Sequence, residues 1–184
     1  MGEVTQLIGQ AREGDRGAFD RIFELLYPEL RRVARRRLSR GSGDALMQTT
    51  ALVNECYLKF LRSETLTPSD RAHFLAYSAT VMRSIIVDAA RGAKTDRRGG
   101  DAEQVTLDSE LMVTQPEASE EILAVHAALA DLGRVDERLG RVVEMRYFGG
   151  LEDEEIAEAL GLSARTVRRD WEKARLLLAH ALRA

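Results

Sequence analysis

The chain of 184 residues is poor in cysteine, proline and aromatic side chains, with one cysteine and three prolines. A single cysteine excludes an internal disulfide, and Cys56 lies in an apolar stretch where a small buried thiol fits. Because proline and strand-like alternation are both scarce, we expect a chain that is nearly all helical. No apolar run approaches membrane-spanning length, so no membrane insertion is expected.

Several kinds of functional site are also missing. The three histidines, at positions 73, 126 and 180, lack metal-ligand spacing, so we expect no metal and no cofactor. The sequence contains no nucleotide-binding glycine loop and no evident pair of catalytic acids, which disfavours an enzyme. The N-terminus has no basic stretch followed by an apolar core, so no signal peptide is predicted and a cytoplasmic protein of bacterial type is expected.

Charge is distributed unevenly behind a formal net charge of −3. Residues 1–100 carry a net +5, residues 101–158 a net −12 and residues 159–184 a net +4. Two basic ends around an acidic middle indicate two contacts with nucleic acid, which the overall charge conceals.

Apolar residues recur at helical spacing along most of the chain, and they predict an all-α fold of two small domains. Residues 1–92 form the first domain, residues 93–118 a flexible linker and residues 119–184 the second domain. The helices are predicted at residues 3–13, 16–38, about 49–62, about 70–91, 120–132, 139–148 and 153–160, with another helix after Ser163.

The last third of the chain is typical of a helix-turn-helix. Gly161 suits a left-handed cap, and Ser163 suits the N-cap of the second helix. In that helix Val167, Trp171 and Ala174 share an inward stripe with Leu178. The polar residues around the other side are the candidate duplex contacts: Ser163, Arg165, Thr166, Arg168, Arg169 and Lys173. The alternative is a solvated basic face on an ordinary helical hairpin.

Three stretches together resemble the extracytoplasmic-function (ECF) sigma factors of the sigma-70 family. Residues 141–175, RVVEMRYFGGLEDEEIAEALGLSARTVRRDWEKAR, resemble the fourth domain of that family, which reads the minus-thirty-five promoter element. Residues 51–61, ALVNECYLKFL, resemble the helix that binds core RNA polymerase. Residues 71–100, RAHFLAYSATVMRSIIVDAARGAKTDRRGG, resemble the stretch that melts and reads the minus-ten element. The resemblance implies a subunit without an active site that binds the polymerase clamp and flap.

The resemblance also implies which residues contact the minus-ten element, since strand opening needs basic and aromatic side chains. The loop of residues 63–70 would hold a flipped base. The candidate contacts are Arg71, His73, Phe74, Tyr77, Arg83, Arg91, Lys94, Arg97 and Arg98. Phe74 and Tyr77 have a plain alternative as core residues of a helical bundle.

The polymerase-binding helix is expected to expose an apolar patch with a polar rim. The candidate contacts are Thr49, Thr50, Leu52, Val53, Asn54, Glu55, Tyr57 and Leu58. A fully buried helix is the alternative.

One departure from the family affects this helix. Many relatives carry acids just before it, whereas this chain has Gln48, Thr49, Thr50 and Ala51. Phosphorylation of Thr50 or Thr49 by a Ser/Thr kinase would supply the missing charge. Alternatively, the threonines cap the helix, or polymerase binding is mainly apolar. A second departure is Glu152, where relatives often have an N-cap serine, and Asp153 is the substitute cap that we expect.

The function predicted from these features is promoter recognition in partnership with core RNA polymerase. The other expected partners are promoter DNA and an anti-sigma factor or a Ser/Thr kinase. The rival function is a free-standing regulator that binds DNA without polymerase and uses residues 1–92 for sensing or dimerisation.

Overall fold

We describe the chain from a computed structural model, which covers residues 2–38, 45–62, 68–96 and 116–183. These residues form helices and no strand, which confirms the all-α prediction. The helices are α1 (Glu3–Arg12), α2 (Arg16–Leu38), α3 (Ala45–Arg62), α4 (Arg71–Asp96), α5 (Pro116–Val135), α6 (Glu137–Tyr147), α7 (Asp153–Leu160) and α8 (Ala164–Ala181). None of these eight helices is long and apolar enough to cross a membrane.

Three helices extend beyond their predicted ends. Helix α3 begins at Ala45 instead of Thr49, because Ala, Leu, Met and Gln are all good helix formers. Helix α4 continues through Gly92 to Asp96, since one glycine in a long packed helix costs only about 1 kcal/mol. Helix α5 begins at Pro116, a residue suited to the first helical position. Both ends of the predicted linker are therefore helical, and residues 97–115 lie outside the described part.

The core of the N-terminal half is an aromatic cluster formed by α2, α3 and α4. The ring of Phe74 is completely buried, with its centroid 5.1 Å from that of Phe60 and 5.7 Å from that of Phe23. Phe19 and Tyr57 extend the cluster toward the surface. Cys56 lies beside these rings with no exposed surface, and burial raises the pKa of its thiol to about 12. The expected small buried cysteine is confirmed.

Helix α4 is buried on two sides. One side packs on α2 and α3, and the other packs on α5, α6 and α7. Where α4 meets the turn that follows α6, a Cβ atom on Gly149 would lie 2.5 Å from the Cβ atom of Ala79. Only glycine therefore fits at this contact. The apolar residues of α4 lie around nearly its whole circumference, which is the pattern of a helix that is enclosed by neighbouring helices.

We predict that Phe74→Ala destabilises the chain by about 3–5 kcal/mol, because it leaves a cavity among well-packed rings. Urea unfolding followed by circular dichroism measures the loss. The control is Leu61→Ala, at an exposed site on α3, which we expect to change stability by less than about 0.5 kcal/mol. Equal losses in the two variants would contradict the central place of Phe74.

Candidate nucleic-acid interface

The turn between α7 and α8 has the predicted helix-turn-helix geometry. Gly161 ends α7 in the left-handed region with φ of 65°. The Ser163 hydroxyl accepts a hydrogen bond from the Thr166 backbone N–H at 3.2 Å and caps α8. At the start of α7, Glu152 occupies the N-cap position, and its backbone N–H donates to the Glu155 carboxylate at 2.9 Å. The prediction that Asp153 substitutes as the cap was therefore wrong.

Asp153 has a different role, because its side chain faces two arginines. It pairs with Arg146, whose guanidinium lies 5.0 Å above the Trp171 ring. Its other oxygen lies 3.4 Å from Nε of Arg168. This carboxylate therefore ties α6 and α7 to the recognition helix α8. The sequence analysis treated Asp153 as a substitute cap, and it missed this link.

The inward side of α8 contains the expected apolar stripe and one unexpected acid. Val167 and Ala174 are fully buried, and Trp171 is half-buried. Asp170 is only 3% exposed, and its Oδ2 lies 2.7 Å from Nε of Arg138 on α6. Burying a charge is costly unless it is paired, so this ion pair fixes how α8 sits on α6. No spacing rule relates Asp170 to Arg138, and the sequence analysis missed the pair.

The outward side of α8 exposes the predicted cations. Arg165, Arg168 and Arg169 are all exposed near its N-terminal end, and Thr166 is half-buried beside them. Lys173 is exposed one turn further along, with Nζ 3.8 Å from the Asp136 carboxylate. The cations therefore form an exposed face, as the helical spacing predicts. This face lies at the end of α8 that Ser163 caps.

The second candidate surface is the N-terminal end of α4. Asp70 caps this helix by accepting the His73 backbone N–H at 2.9 Å. Burial alone would raise the pKa of Asp70, but hydrogen bonds from the His73 backbone and imidazole and from Ser69 outweigh it, and the pKa is lowered. His73 is exposed and tied to Asp70 through Nδ1 at 2.7 Å. This histidine is therefore oriented by the cap.

A pocket of about 210 Å³ opens between this end of α4 and α6. His73, Tyr77 and Pro68 line one side, and Arg141 and Met145 of α6 line the other. Pro68 belongs to the loop of residues 63–70 that is predicted to hold a flipped base, and residues 63–67 of that loop lie outside the described part. Tyr77 is half-buried, with its ring edge-on to Phe60 at 5.0 Å. The pocket thus brings two of the predicted minus-ten residues together.

The other predicted minus-ten residues have diverse surroundings. Phe74 is in the core, so the plain alternative holds for it and it is unavailable to DNA. Arg71 pairs with Glu29 at 2.5 Å and lies 3.6 Å from Glu155, and these acids raise the pKa of its guanidinium despite partial burial. Arg97 and Arg98 lie outside the described residues, as does the side chain of Lys94.

The remaining two arginines lie further along α4. Arg83 is mostly buried and pairs with Glu144 of α6. Arg91 is exposed, with Nη1 3.7 Å from the Asp88 carboxylate. Arg83, at the middle of α4, is thus engaged in an ion pair, whereas Arg91, near the C-terminal end of the helix, is exposed.

The outward face of α3 differs from the predicted one. Leu52 and Val53 are buried, as is Glu55, so the expectation that these residues form an exposed patch and its rim was wrong. The apolar core needs them because α3 packs on both α2 and α4. Among the described residues, the exposed face includes Asn54, Leu58, Leu61 and Arg62, with Tyr57 at its edge.

The two threonines of α3 have unequal access to solvent. Thr49 is completely buried, whereas Thr50 is half-exposed on the same side of the helix as Asn54 and Leu61. Both lie inside a helix that begins at Ala45, so the capping alternative is wrong. Thr50 is thus the accessible one of the pair.

A groove of about 360 Å³ lies beside this face, between α2 and α3. Phe23, Tyr27 and Val53 supply its apolar surface, and Asp20 and Glu24 supply two acids. The Tyr57 hydroxyl donates to Asp20 at 2.7 Å, which makes deprotonation of the phenol harder and raises its pKa. The sequence analysis missed both acids, since they lie on another helix and precede the start of α3 by more than twenty residues.

The described residues contain no group of three or more His, Cys, Asp or Glu side chains that could hold a metal ion. The candidate site consists of two surfaces suited to nucleic acid and one surface suited to a protein partner.

Comparison with known proteins agrees with this combination of surfaces. The family model described as "ECF sigma factor" matches residues 1–184, the whole length of the chain. No curated protein matches the chain. Members of the matched family are transcription initiation factors that bind RNA polymerase and promoter DNA. Because the match includes the N-terminal half as well as the helix-turn-helix, the chain belongs to the ECF sigma factor family.

Proposed function

We propose that this sigma factor contacts a promoter at two places, with α8 on the minus-thirty-five duplex and the N-terminal end of α4 on the minus-ten strand. The observation that carries the proposal is the exposed row of Arg165, Arg168 and Arg169 at the capped end of α8. Long donors at that end reach base edges and phosphates when a helix enters the major groove. The fixed contact of Asp170 with Arg138 supports a rigid presentation of these donors.

The proposed minus-ten contacts are the exposed or half-buried residues of α4. Tyr77 and His73 line one pocket, which suits an unstacked base, and Arg71 and Arg91 are near the surface for phosphates. Arg97, Arg98 and Lys94 remain expected phosphate contacts on sequence grounds alone.

We propose the exposed face of α3, together with the neighbouring groove, as the contact with the polymerase clamp. Asn54, Leu58 and Leu61 give a face of mixed polarity, and the groove adds Asp20 and Glu24. These acids on α2 compensate in part for the acids that are lacking at residues 48–51. A basic clamp surface would complement them. The flap is the proposed partner of the C-terminal helices.

Thr50 is the residue that we propose as a phosphorylation site for a Ser/Thr kinase. It is half-exposed on the proposed clamp surface, while Thr49 is completely buried. A phosphate on Thr50 would add a charge of about −1.5 to −2. This charge would face the basic clamp surface that complements the two acids of the groove. An anti-sigma factor that covers the same face remains an expected further partner.

The rival function, a regulator that binds DNA without polymerase, has no observation in its favour. Under that hypothesis residues 1–92 sense a signal or dimerise, whereas the family match extends through them.

The first test is run-off transcription from genomic fragments with and without core polymerase. We expect specific transcripts only when both proteins are present. Arg169→Ala should weaken promoter complexes about tenfold or more, since one lost contact costs about 1–3 kcal/mol. Arg175→Ala is the matched control, because it removes an exposed arginine from the same helix further from the capped end. A specific gel shift without polymerase would instead support the rival function.

The second test concerns Thr50 and uses binding to core polymerase, measured by fluorescence anisotropy. Kinase-treated wild type should bind about tenfold more tightly than the untreated protein, as one charge-assisted contact provides about 1.5 kcal/mol. Thr50→Ala should abolish this response, and Thr50→Glu should reproduce part of it. Thr5→Ala, at a half-buried threonine on α1, is the control and should respond like wild type. Equal affinities for Thr50→Ala and Thr50→Glu would exclude the switch.

A further inference from the structure

The three arginines at the capped end of α8 differ in what holds their side chains. Nε of Arg168 donates to Oδ2 of Asp153 on α7 at 3.4 Å, which ties this arginine to another helix. In the described part of the chain, Arg165 has no ion pair, and Arg169 has only its neighbour Asp170 at 3.9 Å. Of the three, Arg168 is therefore the one that a described residue of another helix holds.

The carboxylate of Asp153 is itself held in place. Its side chain is only 14% exposed, and its Oδ1 pairs with Arg146 of α6. The guanidinium of Arg146 lies 5.0 Å from the centroid of the Trp171 ring, which is half-buried on the inward side of α8. Trp171, Arg146 and Asp153 thus form a row that begins at the core and ends at the exposed Arg168.

The contact with Asp153 leaves most donors of Arg168 available. An arginine has five N–H donors, and the carboxylate takes the one on Nε. The others are on the two Nη atoms, and 63% of the side chain is exposed. Two adjacent Nη donors in one plane match O6 and N7 of a guanine in the major groove. Arg168 therefore combines a fixed Nε with the donors that bidentate readout of a guanine needs.

We infer that Asp153 is a positioning residue, which holds Arg168 so that its Nη atoms read a guanine of the minus-thirty-five element. The inference rests on the proposed function, in which α8 enters the major groove. A carboxylate on Nε restricts the guanidinium before DNA arrives, so less rotamer freedom is lost when the base binds. Arg165 and Arg169 lack such a support, and we assign them to phosphate contacts, which carry no sequence information.

The charge of Asp153 has a second effect at the same surface. It offsets the charge of Arg168 in the free protein, so this arginine attracts the phosphates of unrelated sequences less strongly. Removing the charge should therefore raise the affinity for non-specific duplex while it lowers the preference for the guanine. A residue that only stabilised the fold would instead lower the affinity for every sequence alike.

The experiment selects duplexes from a pool that is randomised across the minus-thirty-five element, using the full chain with core polymerase. Asp153→Asn removes the charge with little change of shape. Glu154→Gln is the matched control, because it removes one charge from the adjacent, exposed residue of α7. Arg168→Ala identifies the base position that this arginine reads. Combining Asp153→Asn with Arg168→Ala completes a double-mutant cycle.

Wild type and Glu154→Gln should prefer guanine by about tenfold or more at the position that Arg168→Ala identifies. We expect Asp153→Asn to lower this preference about fivefold, in line with the ordering cost of one long side chain. Preferences at the other positions should stay as in wild type. Because Asp153 acts through Arg168, the double variant should have the same base preferences as Arg168→Ala alone.

The order of Arg168 in the free protein is measured separately, by nitrogen-15 relaxation of the arginine Nε–H groups. In wild type we expect a higher order parameter for Arg168 than for Arg165 and Arg169. This comparison needs no variant, so it does not depend on the folding of Asp153→Asn. In Asp153→Asn, the value for Arg168 should fall to that of the other two arginines.

An unchanged guanine preference in Asp153→Asn would overturn the inference, as would equal order parameters for the three arginines in wild type. A double variant that loses more preference than Arg168→Ala would show that Asp153 acts on the fold and not through Arg168. If wild type with core polymerase selected no sequence at all, the proposed function itself would be refuted. The relaxation data would still show whether Asp153 holds Arg168.

Discussion

The burial of α4 on both sides is the constraint on which the rest of the structure depends. Its inner side completes the aromatic cluster around Phe74, and its outer side receives α5, α6 and α7. A helix that is packed against neighbours on both sides cannot expose all of its polar residues to a ligand. The residues of α4 that we propose to contact DNA consequently lie at its N-terminal end and near its C-terminal end.

Local patterns in the sequence predicted the parts of the site that depend on a single helix. The cap at Ser163, the left-handed Gly161 and the exposed arginines of α8 all follow from helical spacing and turn chemistry. The pairs between helices were not predictable in this way. Arg83 and Glu144 are 61 residues apart, and Asp170 and Arg138 are 32 apart, so no periodic signal relates them. Burial of Leu52 and Val53 similarly depends on two neighbouring helices at once.

The proposed polymerase surface illustrates how charge can be supplied from another helix. Residues 48–51 of α3 include threonines in place of acids, whereas the groove beside α3 receives Asp20 and Glu24 from α2. A search confined to residues 48–51 finds no compensating charge. The folded chain also shows a difference between Thr49 and Thr50 that their adjacent positions in the sequence do not reveal. The helix directs the side chain of Thr49 inward and that of Thr50 outward.

The position of Cys56 also limits the signals that this sigma factor can receive. It is the chain's one cysteine, it has no exposed surface, and its thiol keeps its proton at any physiological pH. Oxidants attack exposed thiolates, so peroxide or a disulfide exchange partner would reach this sulfur only after the aromatic core had opened. Direct sensing of oxidative stress by the folded protein is thereby excluded at this residue, and a redox signal would have to arrive through another molecule.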